Sequence, residues 1–303
     1  MDYTQFIKEI CQRAETLVSE GTQVEMIRTE RNNGTLLYGI TIRSKECNWA
    51  PTVYLEKFYV DYMQGIQMDI ILSEIMELYE EKKNIEFPDI EFMHDYRKAK
   101  KRLALKIVHY GRNRNFLKGV PHKIFWDLAI IAYCRVTEIE NAQATIIITN
   151  EHMKMWKVKK EELFKDALRN AQETMPCHIR TMNEVLKTFM SYEDTTYDEQ
   201  TRKLLEKQSN AMLIMSNHEN FYGASCILYD GVLQHLADCN KTSYYILPSS
   251  VHEVILLPQE MAEYPSELKS MVMEINRTQV EPEEILSDEI YFFDRLSGKI
   301  MQV

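Results

Sequence analysis

The sequence predicts an α+β protein with mostly antiparallel sheets, built from hairpins and each covered by helices. Three observations carry this expectation. Residues 211–258 contain three short apolar runs, Ala211-Met212-Leu213-Ile214-Met215, Tyr244-Tyr245-Ile246-Leu247 and Val254-Ile255-Leu256-Leu257. An amphipathic stretch at 222–239 and then Pro248-Ser249-Ser250-Val251-His252-Glu253 separate them, which reads as strand, helix, strand, turn, strand. Asn32-Asn33-Gly34 stands between alternating segments at 24–29 and 36–43, a hairpin signal because such a turn needs positive φ. A hairpin followed by a helix also recurs loosely at 24–63, 126–174 and 244–276, the way α+β domains cover a sheet face.

Taken in order, residues 3–19 place Phe6, Ile7, Ile10, Cys11, Ala14, Leu17 and Val18 on one helical stripe, with Gly21 as the stop. After the first hairpin, Pro51 is expected to open a helix ended by Gly65, and a second helix spans about 66–83. The polar run Glu80-Glu81-Lys82-Lys83-Asn84, continuing through Pro88, marks the expected domain boundary, giving units 1–90 and 91–303. A strand is expected from Leu103 toward Tyr110, then a short turn at 115–119 and a strand pair at 126–137 and 144–149. Asn150 is the expected cap of a short helix through Trp156, and a longer helix carries Leu163, Phe164, Ala167, Leu168 and Ala171. Residues 191–210 read as a polar connection with one short helix around Leu204. The chain should close with a helix at 265–276 and a hairpin of 289–293 with 299–303.

Composition narrows the function. At 303 residues, with 45% hydrophobic and 27% charged residues, the chain has what a globular core needs. No signal peptide or membrane helix is expected, because no basic stretch precedes an apolar core and no apolar run nears ~18 residues. Cysteines at 11, 47, 134, 177, 226 and 239 form no CxxC pair, which argues against zinc and a disulfide scaffold and fits a reducing cytoplasm. GxGxxG and GxxxxGK are absent, so no nucleotide cofactor is expected. A net charge of −10 argues against a general nucleic-acid binder.

A group of stretches carries a family resemblance: Leu37-Tyr38-Gly39-Ile40-Thr41-Ile42-Arg43, Val120-Pro121-His122, Asp127-Leu128-Ala129-Ile130, Ile148-Thr149-Asn150-Glu151-His152, Gly223-Ala224-Ser225, residues 245–253 and Ile285-Leu286-Ser287-Asp288. On these the chain resembles, over nearly its whole length, an uncharacterised domain-of-unknown-function family of anaerobic gut bacteria. Its C-terminal half is faintly similar to the YtpQ-type family. The resemblance implies a bacterial, cytoplasmic protein and brings no catalytic residues.

Four constellations are candidates for chemistry. Ser249, Ser250, His252 and Glu253 combine hydroxyl, imidazole and carboxylate. Ser250 and His252 share a face of an extended chain, but same-face neighbours lie ~6–7 Å apart, and no GxSxG elbow is present. The plainer reading is a turn whose serines satisfy backbone donors. His152 follows Glu151, and a metal would need distant partners such as His218, Asp230, His252 or Glu253; no HExxH spacing supports one, so no metal is expected. Ser216-Asn217 followed by Phe221-Tyr222-Gly223-Ala224-Ser225 reads as an anion pocket or, preferably, a small-residue contact between helix and sheet.

The fourth candidate is charge. Residues 97–123 hold ten lysines and arginines and no acidic residue, and the remaining chain carries 26 basic against 46 acidic groups. Arg97, Lys98, Lys100, Lys101, Arg102, Arg112 and Arg114 are the candidate binding residues, interleaved with Tyr96, His109, Tyr110 and Phe116. Internal pairing with Glu77, Glu80, Glu81, Glu86, Asp89, Glu91 and Asp95 is the competing and favoured reading. The expected function is a non-enzymatic cytoplasmic binding or interaction protein whose partner is a protein or a polyanion, with no membrane. The alternative is a hydrolase or metal-dependent enzyme using Ser250, His252 and Glu253.

Overall fold

The computed structural model describes residues 1–19, 21–44, 52–82, 90–139, 142–189, 211–262 and 264–303. The chain divides into two compact units, Met1–Pro88 and Asp89–Val303, and every described strand pairing is antiparallel.

In the first unit, α1 (Tyr3–Leu17) starts at a capping box in which the Asp2 carboxylate accepts from Gln5 N at 2.8 Å. Its stripe buries Phe6, Ile7, Ile10 and Ala14. β1 (Thr22–Glu30) and β2 (Leu36–Ser44) form the expected hairpin, with φ of 62° at Asn33 and 72° at Gly34. The helix expected from Pro51 is corrected. Pro51 itself lies outside the described residues, and Thr52–Tyr54 is a third strand, β3, paired to β2. Gly39 permits that pairing, since a Cβ there would stand 2.8 Å from Val53 O. Only then does α2 (Glu56–Met63) begin, its Glu56 carboxylate accepting from Tyr38 N at 2.6 Å. α3 (Met68–Lys82) adds Ile71, Leu72 and Ile75 to the core. Of the expected boundary stretch 80–88, residues 80–82 close α3 and residues 83–88 lie outside the described residues.

The second unit holds two sheets. A short helix, α4 (Tyr96–Ala99), and a 3₁₀ turn at Lys100–Arg102 lead into β4 (Leu103–His109). After α5 (Arg114–Leu117) comes an unexpected strand, β5 (His122–Phe125); Trp126, at a φ of 58°, then turns the chain into β6 (Leu128–Ile139), the strand expected over 126–137. β7 (Ala142–Ile147) completes this sheet, whose β6 pairs with β4, β5 and β7. α6 (Asn150–Trp156) is capped by Thr149, one residue before the expected Asn150. α7 (Lys160–Thr174) buries Leu163, Phe164, Ala167 and Ala171.

β8 (Cys177–Thr181) and α8 (Met182–Phe189) were not expected from the sequence. The polar connection and its helix near Leu204 lie outside the described residues. β9 (Leu213–Asn217) ends in Ser216-Asn217. The single helix expected over 222–239 is instead a 3₁₀ segment, Gly223–Leu228, and α9 (Val232–Asn240), parted by Gly231 at φ 75°. β10 (Tyr244–Pro248), β11 (Val254–Pro258), α10 (Pro265–Thr278), β12 (Tyr291–Asp294) and β13 (Lys299–Gln302) match the expected elements. The six-stranded sheet runs β13-β12-β10-β11-β9-β8. One buried cluster joins the sheets, with Ala104, Ile107 and Tyr133 on one side and Met215, Tyr244, Ile246 and Leu256 on the other.

Candidate functional site

Residues 249–253 connect β10 to β11 and close on themselves. Ser250 N donates to Glu253 O at 3.2 Å, and the Ser250 hydroxyl accepts from His252 N at 3.0 Å. The serine and histidine therefore meet through the backbone amide and not through the ring. The His252 ring faces elsewhere. Its Nδ1 accepts from Tyr222 N at 3.2 Å, and its Nε2 stands 3.7 Å from Glu284 Oε1. The ring stacks on Tyr222 at 5.5 Å, and Lys106 Nζ lies 3.9 Å from the centre of the same tyrosine ring. Burial holds His252 below its ordinary pKa; Glu284 opposes this and Lys106 adds to it. Burial likewise raises Glu253, with Arg180 opposing.

The chain reaches this place through a strained loop. Asn220 and Tyr222 take φ of 50° and 52°, uncommon for side chains with a Cβ. Asn217 scaffolds the loop: its amide donates to Phe221 O at 2.8 Å, and its carbonyl accepts from Glu219 N and Phe221 N. A Cβ on Gly223 would stand 2.6 Å from both Asn217 N and His252 O. Ser216 Oγ donates to that same His252 carbonyl at 2.8 Å. The small residues after Asn217 thus let the 3₁₀ segment touch the sheet. His152 is used locally as well: its Nδ1 accepts from Thr149 N at 3.0 Å and its ring stacks on Trp156. Among the described residues no group of three or more His, Cys, Asp or Glu side chains is placed to hold a metal ion.

The basic segment is split by β4, whose seven residues set its ends roughly 20 Å apart from the strand rise. At the first end, Arg97 pairs with Asp95 at 3.0 Å and Lys100 stands 3.8 Å from Asp166. Arg102 donates to Val136 O at 2.7 Å and lies over the Phe92 ring. Lys98 and Lys101 are exposed. Lys106, in mid-strand, is buried against Tyr222. At the far end Arg112 pairs with Asp288 at 2.6 Å, Arg114 lies 5.7 Å from the Tyr110 ring centre and Lys118 donates to Asn115. His122 and Tyr110 lie 6.0 Å apart, ring to ring. Phe116, in α5, is 40% exposed, and Trp126, in the β5–β6 turn, is 49% exposed. Of the acidic flank named as competing partners, Asp95 takes Arg97; Asp166 and Asp288 come from α7 and the loop before β12.

Sequence reasoning missed a further polar cluster beside that far end. Asp127 accepts from the Ser287 hydroxyl at 2.6 Å and from the Tyr291 hydroxyl. His109 Nε2 lies 3.7 Å from the same carboxylate, while His109 Nδ1 accepts from Arg112 N at 3.0 Å. Asn276 donates to Ser287 O at 2.8 Å and to Asp288 at 2.9 Å. Burial lowers His109; Asp127 opposes that and Arg112 reinforces it. The hydroxyl of Ser287 is spent on Asp127 and not on His109, so the cluster is a lock between the β5–β6 turn and the loop before β12. The signal that points to it is the presence of Asp127 and Ser287-Asp288 among the stretches that carry the resemblance.

A family model, described as a family of unknown function (DUF5688), matches residues 3–295. The chain belongs to that family. The match spans both compact units, so the first and second units go together as family features. No curated protein and no solved structure matches the chain.

Proposed function

We propose that the protein is a non-enzymatic binding protein of the bacterial cytoplasm, and that its second unit binds a polyanion through the surface formed by residues 110–126. The observation that carries the reading is the gathering, within residues 110–126, of Arg112, Arg114 and Lys118 with exposed Phe116 in the β4–β5 connection, His122 in β5 packed on Tyr110, and exposed Trp126 in the β5–β6 turn. Cations beside exposed rings suit a backbone of phosphates with stackable bases. Of these cations, Arg114 and Lys118 meet a ring and an amide rather than a carboxylate among the described residues, whereas Arg112 is neutralised by Asp288. The bacterial setting is what the resemblance read in the sequence implies. No described helix is long and apolar enough to cross a membrane.

Against the alternative, a hydrolase or metal-dependent enzyme using Ser250, His252 and Glu253, stands the engagement of the Ser250 hydroxyl by a backbone amide and of His252 Nδ1 by Tyr222 N. The test is the anisotropy of a fluorescent single-stranded oligonucleotide at low and moderate salt. Arg114→Glu/Lys118→Glu should weaken binding at least tenfold, and Lys98→Glu/Lys101→Glu, at the other end of β4, should change it far less. Equal weakening by both pairs contradicts the assignment to this surface, and negligible binding by wild type contradicts the function.

A further inference from the structure

The outer face of α9 carries two metal-ligating side chains whose donor atoms meet. His235 and Cys239 stand four residues apart on this helix, so they share one face. The Cys239 Sγ lies 3.7 Å from the His235 Nε2. Both residues are exposed, and Cys239 is a free thiol. The neighbouring side chains hold this turn in place. Gln234 Nε2 donates to Asp238 Oδ2 at 3.0 Å and to Arg295 O at 3.1 Å, and Arg295 Nε donates to Asp238 Oδ1 at 2.9 Å. These bonds fasten α9 to the turn between β12 and β13. They also engage both oxygens of Asp238, which leaves one thiol and one imidazole as the donors of the pair.

We propose that His235 and Cys239 form a two-ligand site for a zinc ion, with water in the remaining coordination positions. The separation of the donor atoms fits. Zinc holds an imidazole nitrogen at about 2.0–2.1 Å and a thiolate sulfur at about 2.3 Å, so a near-tetrahedral angle sets the two roughly 3.5–3.7 Å apart. The two side chains therefore need no new rotamers to take the ion. Four-residue spacing is also how a helix offers two imidazoles to zinc in HExxH, and here the second donor is a thiol. Thiolate and imidazole favour zinc over magnesium and calcium, which take oxygen ligands. Without metal, a hydrogen bridges Sγ and Nε2; the ion replaces it. The Cys239 thiol releases its proton to solvent, and His235 binds through the Nε2 lone pair with its remaining proton on Nδ1. Nothing is oxidised or reduced. The exposed position leaves room for water on the ion, as in open sites rather than closed structural ones.

The competing pair is His178 and His218, whose rings stack 5.4 Å apart at the edge of the six-stranded sheet, with Cys177 next to His178 in the chain. The experiment treats the folded full-length protein with iodoacetamide, with and without zinc sulfate, and follows alkylation of each cysteine by peptide mass spectrometry. A thiolate held by zinc is shielded, so zinc should slow alkylation of Cys239 and EDTA should restore it. In His235→Ala the zinc concentration needed for protection should rise by at least about tenfold, the lower end of the loss seen when even a ligand's hydrogen-bond partner is removed. His218→Ala should protect Cys239 as wild type does. Cobalt(II) added to wild type should give thiolate charge-transfer absorption that Cys239→Ser lacks. All three substituted side chains are exposed, and the urea midpoint of each variant without metal checks that it folds. Wild-type Cys239 left unprotected by zinc, equal protection in wild type and His235→Ala, protection confined to Cys177, or a cobalt band that persists in Cys239→Ser overturns the proposal.

Discussion

Gly223 is the tightest point of the second unit. A methyl group there meets Ser216 Oγ, Asn217 N and His252 O, and two of those three are backbone atoms. Gly223→Ala should destabilise the protein by about 1–3 kcal/mol, the usual cost of overpacking. The check is a shift of the urea midpoint at unchanged slope; an unshifted midpoint contradicts the close approach. His252 gives a pH test. Its folded pKa lies below the ordinary 6.5, as do those of His109 and His152. The unfolded chain therefore takes up protons first as pH falls, so stability is full above about 6.5 and declines on acidification toward the folded values. The urea midpoint should drop between pH 7.5 and pH 5.5, and His252→Gln should drop less steeply. An equal slope removes His252 from the account. In the sequence Gly223-Ala224-Ser225 is legible as a small-residue contact, because bulk alone signals close approach. The partners of His252 are not legible, because Tyr222, Lys106 and Glu284 come from three separate segments.

At the scale of elements, the Asp127 cluster fastens the β5–β6 turn to the loop before β12. Asp127→Ala leaves the fully buried Ser287 hydroxyl and the buried Tyr291 hydroxyl without their acceptor. Each orphaned buried group costs about 1–3 kcal/mol. Adding Tyr291→Phe to Asp127→Ala should therefore destabilise further by less than Tyr291→Phe does in wild type. Additive losses in this double-mutant cycle contradict the hydrogen bond as drawn. The hairpins of β1 with β2, β10 with β11 and β12 with β13 were readable because turn residues and alternation coincide there. β3, β5 and β8 were not, for physical reasons. β3 is three residues long beside Pro51, β5 ends at a non-glycine turn residue, Trp126, and β8 is half-buried at every position and shows no alternation. The helix over 222–239 reads as continuous because Leu228, Val232, Leu233 and Leu236 keep helical spacing across the Gly231 break.

For the whole molecule, the two compact units each have a buried cluster of their own, centred on Phe6, Ile10 and Ile40 in the first and on Tyr133, Tyr244 and Ile246 in the second. Residues 91–303 expressed alone should unfold cooperatively in urea, and a broad, non-cooperative transition contradicts their independence. The central claim is that the surface of residues 110–126 binds a polyanion through its cations. The salt dependence of oligonucleotide binding tests it most directly, since each phosphate contact to a single strand contributes about 0.7 to the slope of log affinity against log salt. Neutralising Arg114 and Lys118 to alanine should reduce the magnitude of that slope by about one to one and a half. An unchanged slope, with wild type and variant bound alike, contradicts the claim.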